Sequence, residues 1–81
     1  MKYKILAVKV GNGLVLAYAP HDAYLYAGDE VILAGSGSRG IILVIEDYMS
    51  YEELQKRETD TGEEFVKIIA SFRKREVDWN E

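Results

Sequence analysis

The chain has no cysteine, one proline, one histidine and one tryptophan in 81 residues. Without cysteine there are no disulfides, no thiolate metal sites and no thiol nucleophile. His21 has no second histidine to complete a zinc site, and carboxylates alone make a weak one. Long apolar runs are also missing. Lys9 interrupts the opening MKYKILAVKV, whereas a secretory leader needs about 7–15 apolar residues. No segment reaches the ~18 apolar residues of a membrane helix. These absences predict a soluble, cytoplasmic protein. A basic excess is lacking too: the net charge is −4, with +1 over residues 1–45 and −5 over residues 46–81. Proteins that live on duplex phosphate contacts carry a basic face, so the charge argues against that class.

What is present is a small folded domain, 48% hydrophobic and 30% charged. A chain of this length buries only about 60–65% of its unfolded surface, so a partner subunit would help it. Residues 3–10, YKILAVKV, place Leu6, Val8 and Val10 on one side and Ile5, Ala7 and Lys9 on the other. Gly11-Asn12-Gly13 then LVLAYA reads as a hairpin, because Gly and Asn tolerate the positive φ of such turns. Pro20-His21-Asp22 ends that strand. Ala23–Tyr26 reads as a short extended piece, Gly28-Asp29 as a turn, Glu30–Ala34 as a strand and Gly35–Gly40 as a loop. The five apolar residues Ile41–Ile45 predict a strand covered on both faces.

After Asp47 the pattern becomes helical. Ser50-Tyr51-Glu52-Glu53 is a capping box, with Met49 and Leu54 at the staple positions. It predicts a short helix from Tyr51 to about Glu58, with Glu52/Lys56 and Glu53/Arg57 paired at i,i+4. Thr61-Gly62-Glu63-Glu64 reads as a second box. Phe65, Ile68, Ile69 and Phe72 follow at helical spacing, and Arg73-Lys74-Arg75 suits a helix C-terminus. The tail EVDWNE fits a helix end or a last strand. The expected fold is α+β: a small antiparallel β-barrel or strongly bent sheet of 4–5 strands, then one short and one longer C-terminal helix. It is a single domain, with a β part over 1–47 and a helical part over 50–78.

Ala34–Gly40, AGSGSRG, matches the dinucleotide string G-x-G-x-x-G. The match lacks its context: IILVI follows, so no helix N-terminus waits for an anion, and no Lys-Ser completes a Walker loop. The loop reads as a strand connector, and no cofactor is expected. No nucleophile–base pair or metal-ligand spacing occurs, which points away from an enzyme. His21 reads as a surface turn residue. The many carboxylates serve as caps and i,i+4 partners, or present a negative face to a basic partner.

Six tyrosines are present. Tyr24 and Tyr26 share a side, and Tyr18 is placed to join them across the sheet. Aromatic faces beside cations stack single-stranded bases, and tyrosine also anchors protein contacts. The candidate binding surface is Tyr18, Tyr24, Tyr26, Arg39 and Lys9.

Ala27-Gly28-Asp29-Glu30-Val31-Ile32-Leu33, a glycine loop, then Gly40–Ile45 resembles the signature of SH3-like and KOW-type barrels, of the PSP1 module and of the primosomal helicase N-terminus. It is also similar to short barrel proteins of phages and mobile elements. The resemblance spans about 20 residues and implies a small barrel whose relatives mostly bind nucleic acid or ribonucleoprotein. The residues themselves favour a binding module acting on a protein partner or on a second copy. The alternative is a single-stranded nucleic-acid binder using Tyr18, Tyr24 and Tyr26 with Lys2, Lys4, Lys9 and Arg39.

Overall fold

The computed structural model describes residues 2–72. Lys2–Val10 (β1) turns at Gly11-Asn12 into Gly13–Pro20 (β2). Gly11 takes φ 60 there, as the sequence requires. A connection over 21–29 leads to Glu30–Leu33 (β3), and the glycine loop returns the chain as Arg39–Ser50 (β4). Tyr51–Thr61 forms α1 and Phe65–Phe72 forms β5. The strands close into a barrel in the order β1-β2-β5-β3-β4. All neighbours are antiparallel except β2 and β5, which pair in parallel through Leu16–Phe65, Ala17–Val66 and Tyr18–Lys67.

The expected longer C-terminal helix does not form: Phe65–Phe72 is a strand. Gly62 at φ 74 caps the end of α1, where a second N-terminal box was expected, and Thr61 Oγ1 donates back to the Arg57 carbonyl. Beyond that stop, the branched and aromatic side chains of FVKIIASF suit a strand. Opposite β3, Ile32 pairs with Ala70 but Leu33 pairs with Ile68, so Ile69 is an extra, bulged residue. That bulge breaks the alternation and mimics helical spacing. β5 also fills the gap between β2 and β3 and so removes two sheet edges. The tail EVDWNE lies outside the described residues.

β1 lies between β2 and β4 and is buried on both faces from Lys4 to Val8. Its inward residues Leu6 and Val8 pack with Ala17, Ala19, Leu25, Val31, Leu33, Ile42 and Ile68 inside the barrel. Lys4 shares that inward face, and its amine donates to the Ala23 carbonyl at 2.8 Å. Ile5, on the outer face, joins Met49, Leu54 and Phe65 under α1. Leu54 is the one buried residue of the helix.

The capping box is complete: Glu53 N donates to Ser50 Oγ at 3.2 Å, and Ser50 N donates to Glu53 Oε1 at 3.0 Å. Glu53 is therefore used as a cap, and Arg57 turns to Glu63 at 3.1 Å instead of pairing with it. The stretch Ile41–Ile45 is not covered on both faces. Two bulges against β1, at Leu43 and Glu46, turn β4 around the barrel. Ile42 stays inside, whereas Ile41, Leu43 and Val44 are exposed. Among the described residues, no helix is long and apolar enough to cross a membrane.

Candidate binding surfaces

The hairpin register sets the first surface. Tyr3 pairs with Pro20, and Ile5 with Tyr18, so Tyr3 and Tyr18 are diagonal neighbours on the outer face. Their rings meet edge to face, with centroids 5.5 Å apart and planes at 87°. The first residue of α1, Tyr51, adds a third ring 6.2 Å from Tyr3 and tilted by 53°. The parallel pairing of β2 with β5 sets Lys67 beside Tyr18. Together with Ala19 and Pro20 these side chains line a pocket of about 340 Å³. Partial burial raises the Tyr18 phenol above its usual value of 10.0, and the charges of Tyr51, Tyr3 and Glu58 raise it further. Glu58 Oε2 accepts from Phe65 N at 3.1 Å, and Gln55 Nε2 donates to the Tyr51 hydroxyl at 2.9 Å.

The second surface is the outer face of β2, β1 and β4. Across it run Leu14, Lys9 and Ile41, then Leu16, Ala7 and Val44, in cross-strand register. Leu14 is 69% exposed, Ile41 43%, Leu43 46% and Val44 48%. Lys9 stands at one end of this apolar strip. Glu46 and Asp47 stand at the other, where Asp47 pairs with Ile5. α1 covers the neighbouring outer residues Ile5 and Met49 through Leu54 but leaves the strip open.

The sequence-predicted residues separate into three places. Tyr18 lines the pocket with Tyr3 and Tyr51, and Tyr24 and Tyr26 are not among its lining residues. Those two lie in the 21–29 connection, both exposed. Asp29 anchors that connection: its carboxylate accepts from the Tyr26 amide at 3.1 Å, as the Gly28-Asp29 turn requires. Lys9 and Arg39 do come together, lining a shallow depression of about 260 Å³ with Glu30 and Gly40. Arg39 is the first residue of β4. Its guanidinium lies 3.5 Å from Glu30 and 6.0 Å above the Phe72 ring, so its charge is partly engaged. His21 stands at the surface, with Nδ1 3.3 Å from the Lys2 carbonyl. The AGSGSRG loop closes the β3–β4 hairpin, with Leu33 N donating to the Ser38 carbonyl at 2.9 Å.

Tyr3, Tyr51 and Lys67, and likewise Ile41, Leu43 and Val44, lie outside the surface that the sequence predicts. A signal for Tyr3 was present in the hairpin, because a two-residue turn at Gly11-Asn12 fixes Tyr3 diagonal to Tyr18. No local signal places Lys67, which arrives through a non-local parallel pairing. No protein-family model, curated protein or solved structure matches the chain.

Proposed function

We propose that this chain is a non-enzymatic, cytoplasmic binding module of the small-barrel kind, SH3-like in outline, that acts by protein contact and pairs with a second copy of itself. The observation that carries this reading is the exposed strip Leu14, Ile41, Leu43 and Val44 on an otherwise closed barrel. Large apolar side chains exposed together on one sheet face are candidates for a contact site on a small domain. The strip is self-complementary in charge: basic Lys9 at one end faces acidic Glu46 and Asp47 at the other. A two-fold axis through its centre would set Lys9 of one copy against Asp47 of the other, which fits the isologous contact of a dimer. The short chain gains most from such burial.

Sedimentation equilibrium tests the reading. The native chain is expected to shift from monomer to dimer with rising concentration, and Leu43→Asp to remain monomeric with its far-ultraviolet spectrum unchanged. A native chain that stays monomeric up to millimolar concentration would overturn it.

The second reading is single-stranded nucleic-acid binding by Tyr24, Tyr26, Lys9 and Arg39. It is favoured by the exposure of both tyrosines, 80% and 52%, and by the shared depression of the two cations. It stands second because Glu30 occupies that depression and offsets Arg39.

A further inference from the structure

The tyrosine pocket shares the outer face of β1 and β2 with the self-contact strip, beyond Ile5, and has a chemistry of its own. Tyr18 and Tyr51 stand at 87° and 53° to Tyr3, and several rings around one pocket are how proteins surround organic cations. Lys67 on the rim opposes that use, since an ammonium ligand would meet a like charge. The same lysine favours a ligand that joins a flat ring to an anion: the rings supply stacking, and Lys67 supplies the counter-charge. The Tyr51 hydroxyl accepts from Gln55, which leaves its own proton to donate. Tyr18 keeps its proton at neutral pH and adds a second O–H donor. The groove beside α1 is larger, about 480 Å³, but its Glu53 and Arg57 are committed to the helix cap and to Glu63.

We propose that Tyr3, Tyr18, Tyr51 and Lys67 form a binding site for a single nucleotide, the base held among the rings and the phosphate at Lys67. The volume of about 340 Å³ falls in the range of small-ligand sites, whose lower end is about 300 Å³. The charge decides between a free nucleotide and a strand. Residues 51–72, which span α1 and β5, carry six acidic and three basic side chains and sum to −3, so a long polyanion is repelled while one phosphate at one lysine is tolerated.

The test is a nuclear magnetic resonance titration of the full chain with adenosine 5′-monophosphate, adenosine, and a single-stranded oligonucleotide of nine deoxythymidines. The monophosphate is expected to shift the amides of Tyr3, Tyr18, Tyr51 and Lys67 saturably, with a dissociation constant of about 1 mM or tighter. Adenosine should bind several-fold more weakly, and Lys67→Gln should abolish that difference. Tyr51→Phe keeps the ring and loses only the hydroxyl donor, so it should weaken binding less than Tyr51→Ala, which should weaken it about tenfold, in line with the loss of one stacked ring. The site is refuted if nothing shifts at 10-fold above that concentration (about 10 mM), or if the shifts gather at Lys9 and Arg39. An oligonucleotide that binds these four residues more than about tenfold tighter than the monophosphate would overturn the single-nucleotide assignment in favour of a strand.

Discussion

Gly40 lies directly against Val8 across the β1–β4 pairing, so a β-carbon at position 40 would enter the space of the Val8 side chain. It would also come within 2.9 Å of the Lys9 carbonyl oxygen and of Val10 Cγ2. The glycine is therefore required by close approach, not by an unusual φ. Gly40→Ala is expected to lower stability by about 1–3 kcal/mol, the cost of overpacking a tight core. In a domain of this size each kcal/mol moves Tm by roughly 4–8 °C. Val8→Ala is itself destabilising, because Val8 is fully buried, but in its background Gly40→Ala should cost less, because one contact disappears while those to the Lys9 carbonyl and Val10 remain. Thermal melts of the two single variants and the double variant check this. Strictly additive losses would show that Gly40 and Val8 do not share the space.

The features legible in the sequence are those set by short-range chemistry. Gly11-Asn12-Gly13 marks the β1–β2 hairpin, although β2 already starts at Gly13; Ser50 and Glu53 mark the start of α1, and Asp29 marks the turn before β3. What misled was a set of bulges. Leu43, Glu46 and Ile69 are each one residue too many for their ladders, and a single extra residue reverses which face follows. At Ile69 the reversal turned a strand into an apparent helical stripe. On β4 it concealed that Ile41, Leu43 and Val44 face outward. The pocket was half legible: Tyr3 and Tyr18 meet through a local hairpin, whereas Tyr51 and Lys67 arrive from the helix and from a parallel strand distant in sequence.

α1 buries only Leu54, so its stability rests heavily on its ends. Ser50→Ala removes the acceptor of the Glu53 amide and is expected to cost about 1 kcal/mol. Ser50→Asp keeps a side-chain acceptor and places negative charge at the helix N-terminus, so it should stay within about 0.5 kcal/mol of the native chain. Urea unfolding followed by far-ultraviolet circular dichroism separates the two. Equal losses in both variants would mean that the serine acts by packing and not by capping.

The Tyr18 phenol is held above 10.0, chiefly by burial and then by Tyr51, Tyr3 and Glu58. A folded-state value above the unfolded one means that the fold prefers the protonated phenol. The associated stability is complete below pH 10.0 and is lost as pH rises through the folded value. Ultraviolet titration of the phenolates should show a late-ionising group in the native chain that is missing in Tyr18→Phe. The variant should also lose less stability across that alkaline window. Superimposable titrations after allowance for one fewer phenol would place Tyr18 in open solvent.

Lys9 and Asp47 sit at opposite ends of one apolar strip, and the two-fold contact proposed for it makes them partners between copies. Lys9→Glu sets like charges against each other at both symmetric sites, as does Asp47→Lys. Each single reversal is expected to weaken dimerisation at low salt by about tenfold, an effect that fades as added salt screens the charges. The double variant Lys9→Glu/Asp47→Lys restores opposite signs and should recover most of the native affinity. Recovery is specific to a geometry in which the two ends meet, since a general effect of charge would leave the double variant no better than its parents. Sedimentation of all four chains at low and high ionic strength measures this, and a double variant as weak as the singles would remove the antiparallel arrangement even if the chain still dimerises.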